Sequence, residues 1–233
     1  MEDWTQLTKA AWDERANDWA QRSEKMWLTG SRKTIVPFLL NHVERNDHVC
    51  DVGCGDGMGS MLLAEEGFTV TGIDISSEMI QLAKDRLNRA GLSRNRNSFE
   101  VGSSTSLPFS ERAFDGCMAI NSIEWVEHPI DVLEEMNRVV KPGGWLCTSI
   151  LGPTAGPRTN SFNRLMKKKA ICNTMMPWEW RQLLEQTGWK IVAQQGIWKE
   201  AFSGEKAAQL PVLLQQAVSF SWLLLAKRTK ENC

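Results

Sequence analysis

Between His48 and Leu151, short apolar segments alternate with amphipathic segments, and this alternation limits the possible folds more than any other feature of the chain. The short segments are typical of β-strands and the amphipathic ones of α-helices. Strands that alternate with helices are joined by crossover connections, which predicts a parallel sheet with helices on its faces. The sequence therefore predicts an α/β fold. After Leu151 a segment rich in Gly, Pro, Asn and Ser interrupts the pattern before a last helix and two closing strands.

A strand predicted over 48–52 runs directly into the glycine-rich turn Gly53-Cys54-Gly55-Asp56-Gly57, and a helix is predicted to follow. Glycine allows the backbone to approach a ligand, and the start of a helix presents free N–H groups. The next predicted strand ends at Asp74, 21 residues after Gly53. In nucleotide-binding α/β folds an acidic residue at this place accepts hydrogen bonds from ribose hydroxyls. These residues predict a nucleotide-like ligand.

The dinucleotide fingerprint G-x-G-x-x-G/A does not fit this turn, because its third position, counted from Gly53, is Met58. Asp51 lies two residues before the first glycine. A carboxylate at that place suits a ligand with a cationic amine better than it suits a pyrophosphate. An NAD-linked enzyme is therefore an alternative that both residues argue against.

Five segments resemble, in order and spacing, the motifs of class I S-adenosylmethionine-dependent methyltransferases. Within that class the chain is most similar to the small-molecule enzymes of ubiquinone and menaquinone biosynthesis. The resemblance covers about residues 47–151. It implies S-adenosylmethionine as cofactor and a Rossmann-like, three-layer fold with a mostly parallel seven-stranded sheet whose last strand is antiparallel. The segments are Asp51–Gly57, Gly72–Met79, Leu107–Phe109, Phe114–Asp115 and Lys141–Gly144.

By position, the resemblance also implies which residues bind the cofactor. Asp74 is expected at the ribose hydroxyls, and Asp51 is expected to hold the amino group through the glycine loop. Where the family often has Gly-Asp-Ala, this chain has Gly102-Ser103-Ser104, and a neutral Ser103 accepts a weaker hydrogen bond than a carboxylate. The complete expected set is Asp51, Gly53, Cys54, Gly55, Asp74, Ile75, Met79, Ser103, Ser104 and Asn121.

The resemblance implies methyl transfer to a small-molecule acceptor by in-line displacement, in which the protein mainly positions the reactants. A base is needed only if the acceptor must lose a proton. The chain contains no Tyr, and the candidate bases are Glu124 and His128, which follow the fourth predicted strand. A cofactor-binding regulatory protein of the same fold, without turnover, is the alternative.

Trp4, Trp12, Trp19 and Trp27 are spaced 8, 7 and 8 residues apart and fall on one face of a predicted N-terminal helix. We expect residues 1–46 to form a helical cap on a methyltransferase domain of residues 47–233, the two making a single structural domain. Trp12, Trp19 and Trp125 are candidates for the substrate side of the site. Packing in the core would give the same spacing.

The net charge of −1 averages two very different parts of the chain. Residues 136–178 contain no Asp or Glu and seven basic residues. This stretch includes an expected substrate-covering insert at about 152–176, in which Arg158 and Arg164 are substrate-side candidates. The pattern favours an anionic small substrate, or an anionic membrane surface that presents a lipid-soluble one. The balanced total charge predicts no nucleic-acid partner.

The three His and six Cys are not spaced as metal ligands, so we expect no metal site. Cys50, Cys117 and Cys147 lie in predicted strands, which indicates buried, reduced thiols and a reducing compartment. The sequence shows no signal peptide and no apolar run long enough to cross a bilayer. We therefore expect a cytoplasmic protein, and the sequence leaves its oligomeric state open.

Overall fold

A seven-stranded sheet forms the centre of the computed structural model, which describes residues 3–93, 95–199 and 204–229. The strands are β1 His48–Val52, β2 Thr69–Asp74, β3 Asn97–Val101, β4 Phe114–Ile120, β5 Val140–Leu151, β6 Trp189–Ile197 and β7 Ser221–Arg228. Their order is β3-β2-β1-β4-β5-β7-β6. Strands β1 to β5 pair in parallel, whereas β7 lies antiparallel between β5 and β6. The predicted α/β sheet, with its antiparallel last strand, is confirmed.

Helices cover both faces of this sheet. They are α1 Trp4–Leu28, α2 Ile35–Leu40, α3 Met58–Glu65, α4 Ser77–Ala90, α5 Pro129–Val139, α6 Pro177–Gln186, α7 Gly204–Ala208 and α8 Val212–Val218. Two 3₁₀ helices, Ile123–Trp125 and Gly156–Met166, follow β4 and β5. Buried side chains of α2 and α3 pack on one face, and those of α5 and α6 pack on the other. The result is the expected three-layer arrangement.

Alternation along the central strands explains this division into layers, because successive side chains of a strand point to opposite faces. In β4, Cys117 and Ala119 pack with α5 and α6, whereas Met118 and Ile120 pack with α2 and α3. Cys50, Cys117 and Cys147 are buried free thiols within the sheet. Burial raises the pKa of Cys50 and Cys147, so both thiols stay protonated and pack as small apolar groups.

The helix α1 runs across the carboxyl ends of the central strands. Its buried positions are Thr8, Ala16, Ser23 and Trp27, whose spacings of eight, seven and four residues place them on one helix face. Two buried hydrogen bonds fix its position: the Thr8 hydroxyl donates to the Trp125 carbonyl at 3.2 Å, and the Ser23 hydroxyl donates to Asp56 at 2.7 Å. We call α1 the cap helix.

The segment Lys141–Gly144 differs from the turn that the sequence predicts, because β5 begins at Val140 and runs through it. Pairing with β4 shifts between Phe114–Val140 and Gly116–Trp145, so the extra residues bulge out of the ladder. Gly143 supplies the left-handed φ of 81° that this bulge requires. The Gly-rich sequence therefore distorts a strand here and does not end it.

None of the helices within the described ranges is both long enough and apolar enough to cross a membrane. Within the same residues, no group of three or more His, Cys, Asp or Glu side chains is arranged to hold a metal ion.

Candidate functional site

A cavity opens at the carboxyl ends of β1, β2 and β4, beneath the cap helix. In open α/β sheets this edge is where ligands bind, because the strand order reverses there. Its floor is the glycine loop, and its roof is the part of α1 from Trp4 to Trp19. Of the residues predicted from the sequence, those in its wall are Trp12, Trp19, Gly53, Cys54, Gly55, Asp74, Ile75, Met79, Ser103, Ser104, Asn121, Trp125 and His128.

The glycine loop is held against the second strand by backbone bonds. The N–H groups of Gly53 and Cys54 donate to the Ile73 carbonyl at 2.8 and 3.1 Å. Gly53 and Gly55 have φ of 73° and 56°, in the left-handed region that favours glycine. A Cβ added at Gly53 would lie 2.3 Å from the Cβ of Ser122. Both glycines are therefore needed for the turn that forms the cavity floor.

The carboxylate of Asp74 accepts the N–H groups of Gly55 and Ser76, each at 2.9 Å. Burial raises its pKa, while these two hydrogen bonds act in the opposite direction. A carboxylate has about four acceptor positions, so roughly two remain for a ligand. This side chain both fixes the loop and offers acceptors to the cavity, which fits a pair of neighbouring hydroxyls.

Apolar and hydroxyl groups line the cavity beyond Asp74. Ile75 and the buried Met79 supply apolar surface, and Ser103 and Ser104 lie in the same wall. The Ser103 hydroxyl is 2.8 Å from the Thr105 hydroxyl, so one of its hydrogen bonds is already made within the loop. This part of the wall therefore offers apolar surface and neutral hydroxyls, but no charged acceptor of the kind that a loop aspartate would give.

Arg32 is a cavity residue that the sequence did not single out. Its guanidinium lies 4.8 Å from the ring centre of Trp19 and 5.5 Å from that of Trp27. Burial lowers its pKa to about 10, and the charges of Asp56 and Asp51 partly offset this effect. The side chain therefore stays cationic at neutral pH and faces the cavity. A single arginine in the connection between α1 and α2 belongs to no motif, and only the fold shows its place.

Asp51 lies beneath the glycine loop and is not among the residues of the cavity wall. Its carboxylate accepts the Ser60 hydroxyl at 2.6 Å. Burial raises the pKa of Asp51 to about 7, against the hydrogen bond from Ser60 and the nearby charge of Arg32. Its expected influence on a bound amino group would therefore act through the loop.

Aromatic rings form the roof of the cavity. Trp12 makes edge-to-face contacts with Trp19 and Trp125, with ring centres 5.5 and 5.1 Å apart. The Trp4 indole donates to the Trp125 carbonyl at 2.8 Å, and the Trp125 indole donates to the Asn121 carbonyl at 2.9 Å. Trp4, Trp12 and Trp19 of the predicted tryptophan face therefore line the cavity, and Trp4 is tied to the segment after β4, whereas Trp27 packs in the core with α2 and α3.

The structure separates the two candidate bases. His128 is exposed and lies in the cavity wall. Glu124 is fully buried outside the wall, where its carboxylate accepts the Leu151 N–H at 2.5 Å. Burial raises the pKa of Glu124, and Arg158 acts in the opposite direction. The expectation that Glu124 is a candidate base is corrected, because the 3₁₀ turn directs its side chain towards the end of β5 and away from the cavity.

Arg158 and Arg164 also lie outside the cavity wall, which corrects their expected substrate-side placement. The buried Arg158 guanidinium donates to four backbone carbonyls, those of Leu151, Gly152, Asn173 and Met175. Arg164 is exposed and donates to the carbonyl of Ser161 within its own 3₁₀ helix. The sequence shows that positive charge is concentrated in this segment. It does not show that Arg158 is buried against backbone carbonyls while Arg164 stays exposed.

Comparison with known proteins agrees with this geometry. Residues 50–148 match the family described as a methyltransferase domain. The chain is 31% identical over 151 residues to the biotin biosynthesis bifunctional protein of Teredinibacter turnerae, covering 61% of this chain and 26% of that protein. It is 30% identical over 147 residues to a ubiquinone biosynthesis O-methyltransferase of Coxiella burnetii, covering 61% of this chain and 60% of that enzyme. The matched part of the chain thus spans between about a quarter and three fifths of the length of these relatives.

An S-adenosylmethionine-dependent methyltransferase of Methanosarcina mazei superposes with a TM-score of 0.66 at 23% identity, covering 84% of this chain and 98% of that one. At that identity the likeness shows the fold alone. Together with the family match, it confirms the class recognised from the motifs. Residues 50–148 match a methyltransferase domain, and the sheet that contains them has the fold of S-adenosylmethionine-dependent methyltransferases.

Proposed function

We propose that this protein is an S-adenosylmethionine-dependent methyltransferase that acts on a small-molecule acceptor. The observation that carries the proposal is one cavity in which the left-handed glycines, the Asp74 carboxylate and the Arg32 guanidinium face a common space under an aromatic roof. A class I cofactor has a ribose diol, an adenine, an amino group and a carboxylate. The cavity offers complementary groups for the diol, the adenine and the carboxylate, and Asp51 lies beneath the glycine loop that would meet the amino group.

The proposed assignment follows the chemistry of the side chains. Asp74 would accept both ribose hydroxyls, with the adenine between Met79 and Ser103. Arg32 would pair with the methionine carboxylate, because it is a cation held in the wall by stacking on Trp19. The backbone at Gly53 would pass close to the methionine part. The other proposed cofactor residues are Asp51, Cys54, Gly55, Ile75, Ser104 and Asn121.

When bound, the cofactor supplies a methyl group that its sulfonium has already activated. The protein then has to orient an acceptor and exclude water, and good orientation alone recovers roughly 7–11 kcal/mol of a barrier. Trp12 and Trp125 cover the cavity and would exclude solvent. His128, the candidate base in the wall, would take a proton from an acceptor that must lose one.

The relatives support a small-molecule acceptor. One is named as acting in ubiquinone biosynthesis, and a 31% identical protein of Erwinia pyrifoliae is named as a malonyl-[acyl-carrier protein] O-methyltransferase. We propose a cytoplasmic protein in which residues 1–46 act as the cap of a domain formed by residues 47–233. A cofactor-binding regulator without turnover is the second candidate, favoured by the exposed position of the candidate base.

Calorimetry with three ligands tests the cofactor assignment: S-adenosylhomocysteine, methylthioadenosine and NAD. We expect the first two to bind and NAD not to bind. The Asp74→Asn variant should weaken both adenosine ligands about tenfold, which corresponds to about 1.4 kcal/mol. Arg32→Gln should weaken only S-adenosylhomocysteine, because methylthioadenosine has no carboxylate.

The neighbouring exposed Lys33 gives a matched control, since Lys33→Gln removes a charge outside the cavity. Binding of NAD, or equal affinities in wild-type protein and Asp74→Asn, would contradict the assignment. Turnover is a separate measurement: formation of S-adenosylhomocysteine with a panel of hydroxyl, carboxyl, amine and thiol acceptors. Binding without turnover on any acceptor favours the regulatory alternative.

A further inference from the structure

Exposed apolar side chains are concentrated at one edge of the molecule. Within the described ranges ten large hydrophobic side chains are exposed, and seven of them lie in two short helices. Phe162, Leu165 and Met166 are 57, 67 and 57% exposed in the 3₁₀ helix after β5. The other four lie in α8: Val212, Leu213, Leu214 and Val218. Such a concentration is unusual for a surface that faces only water.

Both helices lie at the carboxyl edge of the sheet. The chain leaves β5 at Leu151 directly beside the start of β7, where the Gly152 N–H donates to the Phe220 carbonyl at 2.8 Å. The 3₁₀ helix begins four residues after Gly152, and α8 ends two residues before Phe220. The Lys199 ammonium also reaches from the end of β6 to the Thr154 carbonyl at 3.2 Å. The two apolar groups are therefore on the edge that holds the cavity.

Positive charge lies beside these apolar side chains. Lys167 and Lys168 follow Met166 directly and are exposed. Lys167 has a left-handed φ of 55°, and the Lys168 N–H donates back to the Asn163 carbonyl at 3.0 Å. This turn fixes both lysines next to the apolar residues. Since residues 137–178 contain no Asp or Glu, no acidic side chain of the insert neutralises them. We call Phe162, Leu165, Met166, Lys167 and Lys168 the edge patch.

The backbone beneath the patch is fixed. Arg158 binds four carbonyls around the start of the insert, and the Asn173 side chain donates to the carbonyls of Ile123 and Val126 at 3.0 and 2.8 Å. Arg15 of the cap helix donates to the Asn160 side chain at 3.2 Å. The insert is therefore anchored at both ends and at the cap helix, while its apolar side chains point outwards. The anchored backbone of the insert therefore keeps these side chains exposed.

We propose that the edge patch docks the protein on an anionic lipid bilayer. Large apolar side chains that enter the headgroup region, with lysines that meet anionic headgroups, match the two forces that hold interfacial segments on membranes. The local charge is required because the net charge of the whole chain, −1, gives no general attraction to such a surface. An acidic protein is the alternative occupant of the edge patch. Binding of such a protein would explain the exposed lysines, but it would not explain the exposed apolar side chains beside them.

Docking in this orientation would place the cavity edge against the bilayer. An acceptor dissolved in the lipid would then reach the site without crossing water, a consequence that rests on the proposed methyltransferase function. The docking itself does not depend on methyl transfer. Its test therefore measures binding of the protein to vesicles and needs no cofactor.

Co-sedimentation of the full chain with vesicles is the test. We expect binding to mixed phosphatidylcholine and phosphatidylglycerol vesicles, weak binding to phosphatidylcholine alone, and loss of binding at high salt. Lys167→Glu with Lys168→Glu should weaken binding by about tenfold or more, since each charge is reversed. Leu165→Ser with Met166→Ser should weaken it at every salt concentration, because the apolar part of the contact is lost.

Lys190→Glu with Lys227→Glu is the matched control, since these exposed lysines pair across β6 and β7 at the opposite edge of the sheet. The control should bind vesicles like wild type, and all variants should keep their affinity for S-adenosylhomocysteine. Absence of wild-type binding to phosphatidylglycerol vesicles, the result that an acidic protein partner predicts, overturns the proposal. Equal losses in the control and patch variants also overturn it. If S-adenosylhomocysteine does not bind but the vesicle results hold, the proposed function fails and the docking surface stands.

Discussion

Asp51, which is buried, and Arg32, which is half-buried in the cavity wall, show how single charges are held close to the cavity. Asp51 lies under the glycine loop with the Ser60 hydroxyl as its hydrogen-bond partner. Arg32 stacks on Trp19, and the opposite charges of Asp51 and Arg32 stabilise each other. Burial still dominates at both residues, because it raises the pKa of Asp51 and lowers that of Arg32.

The raised pKa of Asp51 predicts a pH dependence of stability. Its folded-state pKa is about 7 and its ordinary value is 3.8, so the folded protein holds a proton that the unfolded chain has lost. Its contribution to stability is therefore complete below about pH 4 and is lost as the pH rises to about 7. Asp51→Asn should remove this loss, and its stability relative to wild type should rise by about 2–4 kcal/mol between those limits.

Urea unfolding at pH 4.5, 6 and 8 measures this effect, with Asp85→Asn on the exposed face of α4 as the control. A stability difference between Asp51→Asn and wild type that does not change with pH would show that the carboxyl ionises normally in the folded state.

The residue scale also shows the limit of inference from the sequence. The position of Asp74 at the end of a strand could be read from spacing, because a parallel sheet brings strand ends to one edge. The placement of Glu124 and Arg158 could not, because a 3₁₀ turn and a buried set of carbonyls decide where their side chains point. Arg32 belongs to no pattern, and its role depends on tryptophans that only the fold brings next to it.

At the scale of elements, local sequence patterns determine the strand–loop–helix units, whereas the conformation of the insert depends on contacts between residues that are distant in the chain. The helix α4 spans Ser77–Ala90 and ends at Gly91 in the left-handed conformation, as its amphipathic pattern and the glycine predict. The sequence of the insert has no such amphipathic periodicity. Its 3₁₀ helix depends on Arg158, which joins the end of β5 to the segment before α6. Long-range backbone contacts of this kind leave no mark in the sequence.

Replacing Arg158 should therefore destabilise the insert. In Arg158→Met the four carbonyls lose their charged donor while they remain buried, and we expect a loss of about 2–4 kcal/mol in the free energy of unfolding. Arg164→Met, in the same 3₁₀ helix but exposed, should change stability by less than about 0.5 kcal/mol. Chemical denaturation of both variants measures the difference. Similar effects of the two substitutions would show that the buried contacts of Arg158 contribute little.

At the scale of the whole molecule, the sheet order brings several connections to one edge. The glycine loop after β1, the segment after β2, the 3₁₀ turn after β4 and the insert after β5 all lie there, and the cap helix crosses them. The cavity is consequently made from parts that are distant in the chain. A ligand that binds in it contacts several elements together and should stabilise the folded protein as one unit.

Thermal unfolding measures this stabilisation. At a concentration of S-adenosylhomocysteine about 100 times its Kd, the folded state should gain about 2.7 kcal/mol. For a chain of this size that gain corresponds to a rise of about 5–10 °C in Tm. NAD at the same concentration should give no rise, and Asp74→Asn should show a smaller one with S-adenosylhomocysteine. Equal shifts with both ligands would indicate a site without selectivity for the methionine part.

The cap helix holds three separate parts of the cavity at once. Asp13 accepts the Ser76 hydroxyl at 2.6 Å, Ser23 binds Asp56 of the glycine loop, and Thr8 binds the carbonyl of Trp125. Any movement that lifts this 25-residue helix away from the cavity has to break all three contacts. The cavity roof is therefore held as one rigid unit, and widening of the cavity at the roof should be slow compared with the motion of a single loop.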